Sequence, residues 1–127
     1  MLAISSLIKI YLHAEPVDMR KSFDGLFGII KSDLHLDVRD GGVFMFLNLR
    51  RNRIKLMHWD RDGLAIWMKR LEKGCFQRPL RSPDGKHVIV DPDELQSILS
   101  GIDLNSIKKR KRYVAPNPLH QEPKAAS

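Results

Sequence analysis

The chain has 127 residues, a formal net charge of +7 and a single cysteine. This length suits one domain with a modest core, and no window holds the roughly 18 uninterrupted apolar residues that a membrane span needs. A lone cysteine excludes an internal disulfide, and the apolar start carries neither a basic leader nor a cleavage site, so we expect a cytoplasmic protein.

Positive charge is concentrated in two stretches of the chain. Residues 50–86 hold eleven Lys and Arg against four Asp and Glu, whereas residues 105–127 hold six against one. Such asymmetry favours a polyanionic partner over uniform solvation. The second stretch also contains several prolines and few core formers, which predicts a single domain over residues 1–104 followed by a basic, disordered tail over 105–127.

A strand and a long helix are the first predicted elements. Residues 6–13 alternate apolar and polar side chains, which is typical of a strand. Apolar residues then recur at helical spacing over residues 19–35, and Asp18 is suitable as the N-cap of this helix. Arg20 and Lys21, in the predicted first turn, are either anion ligands or a solvated surface.

Three further strands are predicted to form an antiparallel meander over residues 43–47, 53–60 and 63–71. The first of them is apolar on both faces, which indicates burial on both sides of a sheet. The other two alternate with a period of two, and Asp62-Gly63 between them suits a hairpin turn. The turn between the first two carries two arginines at its tip.

The last predicted elements are a strand over residues 87–90 and a helix that starts at Pro92. Asp91 is suitable as its N-cap, and the acidic residues that follow suit a first helical turn. The predicted fold class is therefore α+β, with an antiparallel sheet of about five short strands, one long helix packed on it and a second C-terminal helix.

Catalytic signals are weak in this sequence. Asp60, Asp62 and Glu72, with His58 nearby, could hold Mg²⁺ for a nuclease, but aspartates that flank a turn usually stabilise the turn itself. Cys75 has no sequence context that would activate a thiol, the five histidines lack zinc spacing, and no phosphate-binding glycine motif occurs. We therefore expect no catalytic residues, no metal and no cofactor.

Nucleic-acid binding is the better-supported chemistry, because arginine and lysine can neutralise phosphates and an exposed tryptophan can stack on a base. Trp59 and Trp67 lie among the basic residues and are either stacking platforms or core residues. The candidate nucleic-acid-binding residues are Arg50, Arg51, Arg53, Lys55, Arg61, Lys69, Arg70, Lys73 and Arg78, together with Lys108, Lys109 and Arg110 in the tail.

The chain resembles the small accessory proteins of bacterial insertion sequence 66 transposons, called TnpB or second-reading-frame-like proteins, which are distinct from the RNA-guided nuclease of the same name. The phrases PVDMRKSFDGL at residues 16–26 and WDRDGLAIWMKRLEKGCF at residues 59–76 carry this resemblance. The motif residues are Asp18, Met19, Arg20, Lys21, Asp24, Gly25, Trp59, Asp60, Gly63, Glu72, Gly74 and Phe76.

The resemblance implies a protein that is encoded beside a separate DDE-type transposase and assists transposition, and it supplies no catalytic residues. Two hypotheses follow for its role. The protein is either a DNA-binding accessory factor at the transposon ends, or an adaptor that contacts the transposase without binding DNA directly. A nuclease built on Asp60, Asp62 and Glu72 is the weaker third hypothesis.

Overall fold

A computed structural model describes residues 8–100, in which one five-stranded sheet lies between two helices. The predicted tail and the end of the predicted domain lie outside the described residues. The elements are β1 (Ile10–His13), α1 (Phe23–Leu34), a 3₁₀ turn (Val38–Asp40), β2 (Val43–Leu47), β3 (Arg53–Asp60), β4 (Gly63–Arg70), β5 (His87–Val90) and α2 (Pro92–Ser100).

The sheet has the strand order β4-β3-β2-β1-β5, and the predicted antiparallel meander of β2, β3 and β4 is confirmed. β5 also pairs antiparallel with β1. The predicted α+β fold with an antiparallel sheet of about five strands is confirmed, except that the pairing of β1 with β2 is parallel, with Leu12 opposite Met45. Parallel neighbours need a long crossover, and the connection that contains α1 provides it.

Both faces of the middle of the sheet are buried because each is covered by one helix. Phe44, Phe46 and Met57 pack on the α1 side with Leu26 and Ile30. The α2 side is built from the alternate positions of the same strands, Met45 and Leu56 among them, together with Leu95, Ile98 and Leu99 of the helix. Every residue of β2 is therefore buried, as its unbroken apolar run predicted.

The prediction that Asp18 caps the long helix is wrong. α1 begins at Phe23, and its N-cap Ser22 makes no side-chain capping bond. The Asp18 carboxylate instead accepts a hydrogen bond from the backbone N–H of Arg20 at 2.8 Å, while its carbonyl accepts one from the N–H of Lys21 at 3.0 Å. A short aspartate side chain satisfies a local turn as readily as a helix end, and here the turn prevails.

The predicted N-cap of the second helix is confirmed. The Asp91 carboxylate accepts the N–H of Glu94 at 2.8 Å, and the Glu94 carboxylate accepts the N–H of Asp91 at 3.1 Å. Two backbone donors are thus satisfied reciprocally in a capping box. This pair fixes the direction in which α2 leaves β5 and crosses the sheet.

Candidate nucleic-acid interface

The topology gathers basic side chains at one end of the sheet, where β1, β2 and β4 finish. Three segments meet there: the loop 14–22, the β2–β3 turn 48–52 and the segment 71–78. They are tied together by backbone hydrogen bonds from Val17 to Leu47 at 2.8 Å, from Leu71 to Asn52 at 2.8 Å and from Phe76 to Arg51 at 2.6 Å. We call this the basic end, and its cationic residues are Arg20, Lys21, Arg50, Arg51, Arg53, Arg70, Lys73 and Arg78.

A side-chain clamp holds the β2–β3 turn. The Asn48 Oδ1 accepts the backbone N–H groups of Asn52 and Arg53, both at 3.0 Å, and its Nδ2 donates to the Asn52 Oδ1 at 2.7 Å. The N–H of Arg51 also donates to the Asn48 carbonyl at 3.0 Å. The turn is consequently organised before any ligand arrives, which lowers the entropy lost on binding.

The tip of this turn holds one left-handed residue and one exposed apolar residue. Arg51 has a φ of 57°, a left-handed conformation that glycine or asparagine adopts at lower cost. Leu49 is 81% exposed, although it is a large apolar residue. Both features have parallels elsewhere in the chain, since Arg61 in the β3–β4 turn has a φ of 58° and Leu80 is also 81% exposed.

The loop that carries the first family phrase flanks the same turn. Together they line a cleft of about 500 Å³, and its cationic residues are Arg20, Arg50 and Arg53. The Arg20 guanidinium donates to both oxygens of Asp18, and this hydrogen bonding lowers the pKa of Asp18 to about 2. Asp18 therefore stays ionised at neutral pH and offsets part of the positive charge at the cleft.

Two candidate lysines are engaged in holding the fold together. Lys55 is only 7% exposed, and its Nζ donates to the carbonyls of Met19 and Lys21 at 2.9 and 2.7 Å. The Lys69 Nζ donates to the carbonyl of Leu99 at 2.8 Å, in the last turn of α2, where the helix dipole favours a cation. Lys55 thus fixes the loop before α1, and Lys69 fixes the end of α2.

The remaining cations of the basic end differ in their partners. Arg70 donates to Glu72 at 3.1 Å in an exposed ion pair. A second group of side chains makes no hydrogen bond or ion pair with any of residues 8–100. This group, which we call the unpaired cations, comprises Lys21, Arg50, Arg51, Arg53, Lys73 and Arg78.

Arg61 lies away from this cluster, although it is near the other candidates in sequence. It occupies the β3–β4 turn between Asp60 and Asp62, again with a left-handed φ of 58°. Arg53 is the first residue of β3 and Arg61 follows its last, so the two lie eight residues apart along the strand, which at roughly 3.3 Å per residue is about 26 Å. The structure therefore does not place Arg61 with the basic end.

The two tryptophans lie on opposite faces of the sheet and both are half-buried. Trp59 packs against the α1-side core and donates from its Nε1 to the Arg61 carbonyl at 3.0 Å. Trp67 packs against the α2-side core. They do not form a shared stacking platform. The remaining family phrase residues include Phe76, which is fully buried, and Gly74, which has a φ of 76° that suits glycine.

The carboxylates proposed for a nuclease are not brought together. Asp60 and Asp62 flank the β3–β4 turn, whereas Glu72 follows the far end of β4 and pairs with Arg70. Within residues 8–100, no group of three or more His, Cys, Asp or Glu side chains is arranged to hold a metal ion. None of the helices in that range is long and apolar enough to cross a membrane.

Sequence reasoning placed Arg20 and Lys21 in a helix and did not connect them with the β2–β3 turn. The structure brings them together because β1 and β2 are parallel and end side by side. The signal that could have revealed this is the long connection between these strands, which permits a parallel crossover. The tail candidates Lys108, Lys109 and Arg110 lie outside the described residues.

These features define a small α+β protein whose central sheet is covered on both faces and which gathers eight of its cations at one end. A family model described as "IS66 Orf2 like protein" matches residues 8–109, so the chain belongs to this family of transposon-associated accessory proteins.

Two similar proteins come from Sinorhizobium fredii. The uncharacterized protein y4jC is 29% identical over 110 residues, which cover 87% of this chain and 92% of y4jC. The uncharacterized protein y4hO is 30% identical over 103 residues, which cover 81% of this chain and 88% of y4hO. No solved structure matches the chain.

Proposed function

We propose that this protein is a non-catalytic accessory factor that assists transposition by binding DNA through the basic end. The observation that carries the proposal is the convergence of the six unpaired cations around a clamped turn. Arginine presents several donors in a planar fork that matches phosphate oxygens, so such a surface can follow a phosphate backbone. The DNA would be the transposon ends, and the protein would act in the cytoplasm beside the transposase of its element.

The chemistry of this surface predicts that these residues bind DNA with little preference for its base sequence. Contacts to phosphates position a protein on DNA but carry no base information. If four to six cations each neutralise one phosphate, log K should fall with log salt concentration at a slope of about −4 to −5. The basic tail would add further non-specific attraction and a steeper slope.

The β2–β3 turn also has the geometry to reach into a groove. Its tip is narrow, rigid and flanked by Arg50 and Arg51, and Leu49 projects beside them. Arginines that enter a minor groove are favoured by its negative potential, and an apolar side chain can wedge between base steps. Leu49 is thus the residue through which this surface would bend DNA as well as bind it.

An adaptor function is the second candidate, and the same cleft supports it. Its lining combines arginines with Met19, Val17 and the exposed Leu49, which suits an acidic segment of the transposase with apolar anchors. In this case the positive charge of the basic end recognises protein carboxylates and not phosphates.

A salt-titrated binding assay separates these two functions. Fluorescence anisotropy would be measured with transposon-end duplex and random duplex of equal length, at 50 to 300 mM salt, for the whole chain and for a variant truncated after residue 104. DNA binding by both forms, with a shallower slope for the truncated form, supports the proposal. Absence of binding at 50 mM salt, while the protein still captures the transposase, would replace it with the adaptor function.

A further inference from the structure

The two edges of the sheet differ in how their backbone groups are satisfied. β4 and β5 are the outer strands. The backbone N–H of Leu71 donates to the carbonyl of Asn52, which shows which β4 residues direct their backbone groups to β3. The backbone groups of the odd-numbered residues face β3, and those of the even-numbered residues face outward. The outward N–H and C=O groups of Leu64, Ile66, Met68 and Arg70 have no hydrogen-bond partner within residues 8–100.

The β5 edge, by contrast, is closed by its own chain. The strand has only four residues. His87 exchanges backbone hydrogen bonds with Asp84, at 2.7 and 3.4 Å. The carbonyl of Ile89 accepts the Arg81 Nη2 at 2.8 Å, and Glu94 holds this guanidinium in place. Short length and a covering cation are the devices by which proteins prevent pairing at a sheet edge.

The β4 edge has none of these devices along its middle. It is eight residues long and pairs with β3 without a bulge. Residues 64–68 read Leu-Ala-Ile-Trp-Met, with no proline, glycine or charge. Met68 is 46% exposed at this edge. An unbroken apolar edge strand with unsatisfied backbone groups is a template for another strand.

We propose that β4 pairs antiparallel with β4 of a second copy of this chain, around a two-fold axis at Ile66. Only even-numbered residues present outward groups, so even-numbered residues of the two copies must lie opposite one another. With the axis at Ile66, Ile66 lies opposite Ile66 and Leu64 lies opposite Met68. The middle of the interface is thereby apolar on both copies. The two sheets become one continuous ten-stranded sheet.

Charge complementarity favours a second copy as the partner, and it favours an axis at Ile66 over one at Trp67. With the axis at Ile66, Asp62 of each copy lies opposite Arg70 of the other, so the pair occurs twice. Moving the axis by one residue, to Trp67, would place Asp62 opposite Glu72, and like charges directly across a ladder are destabilising. An acidic turn at one end of β4 and a basic terminus at the other are what an antiparallel self-pairing needs.

Sedimentation equilibrium of the whole chain, at 10 to 300 µM and 300 mM salt, tests this interface. The wild type is expected to reach twice its 14.6 kDa mass. Met68→Glu should raise the dimer dissociation constant at least about tenfold. The two-fold axis would bring one added carboxylate from each copy into the apolar middle of the interface. The matched control is Ile89→Glu on the β5 edge, where the replaced side chain is 49% exposed; it should leave the dimer intact.

Exchanging the charges of Asp62 and Arg70 tests the same interface and distinguishes loss of the dimer from loss of folding. Asp62→Arg alone and Arg70→Asp alone should each weaken the dimer, and the double variant should restore it. A monomeric wild type at 300 µM would overturn the proposal. That result is expected if a later segment of the same chain occupies the β4 edge. A dimer that survives Met68→Glu, or that is lost with Ile89→Glu, would overturn it as well. None of these outcomes depends on whether the protein binds DNA.

Discussion

The two ends of the sheet carry similar kinds of residue but differ in how their charged side chains are paired. At the end opposite the basic end, Arg39 and Lys31 both reach Asp37, and Arg81 is held by Glu94. The Arg39 guanidinium keeps the pKa of Asp37 well below its usual range. At the basic end, six cations have no such partner within residues 8–100. Lys9 and Arg61 at the opposite end also make no ion pair within residues 8–100, so the two ends differ in how many cations the fold leaves unpaired.

The largest expected effect comes from removing the charge of the turn. The triple variant Arg50→Gln, Arg51→Gly and Arg53→Gln should weaken DNA binding at least about 100-fold at 100 mM salt and reduce the salt slope by about 3. The control triple variant Lys9→Gln, Lys31→Gln and Arg61→Gly lowers net charge equally at the opposite end. It should retain most of the affinity, and an equal loss in both variants would show that only overall charge matters.

The next prediction tests whether Lys55 is a structural residue or part of the DNA-binding surface. Lys55→Met should lower the free energy of unfolding by about 1–3 kcal/mol, because two carbonyls beside the sheet lose their donor. Urea denaturation measures this change. Under conditions where the variant is folded, its salt slope for DNA should match that of the wild type. A slope lower by about one unit would place the Lys55 ammonium on the phosphates instead.

A smaller effect, of opposite sign, is expected at Asp18. Asp18→Asn removes the carboxylate that neutralises Arg20 but keeps an oxygen that can accept the N–H of Arg20. DNA affinity should rise several-fold, since one more guanidinium becomes available for a phosphate. Anisotropy titration measures the gain. Weaker binding by this variant, with unchanged stability, would remove the cleft from the interface.

The smallest effect concerns the pH dependence of stability at a contact between β1 and α1. His13 Nε2 donates to the Asp33 carboxylate at 2.8 Å, and this bond lowers the pKa of Asp33. A carboxyl group with a lowered folded-state pKa stabilises the fold above its unfolded pKa of about 4, and this contribution is lost as pH falls through the folded value. Asp33→Asn should therefore reduce stability at pH 6 but much less at pH 2.5. Equal losses at both pH values would contradict this assignment.

Much of the fold could be predicted because its signals are local. The alternation of β3 and β4, the unbroken apolar run of β2 and the capping box at Asp91 each follow from a few neighbouring residues. The start of α1 could not be predicted, because Asp18 fits a turn and a helix cap equally well and only the position of Val17 against β2 decides between them. The parallel pairing of β1 with β2 is non-local, and no short pattern specifies it.

The basic end shows the same limit. Counting basic residues identified Arg50, Arg51 and Arg53 but also included Arg61, Lys55 and Lys69. The length of β3 separates Arg61 from the others. The buried Lys55 binds carbonyls of the loop before α1, and Lys69 binds a carbonyl of α2. Each of these facts depends on which segments the sheet brings together, and hence on the tertiary structure.

The most direct test of the central claim uses the two arginines with left-handed backbones. Arg51→Gly and Arg61→Gly remove the same charge from turns with nearly equal φ, and both should stay within about 1 kcal/mol of wild-type stability because glycine relieves the strain. The salt slope of DNA binding should fall by about one unit for Arg51→Gly and stay unchanged for Arg61→Gly. Equal slopes for the two variants, or a loss only with Arg61→Gly, would contradict binding through the basic end.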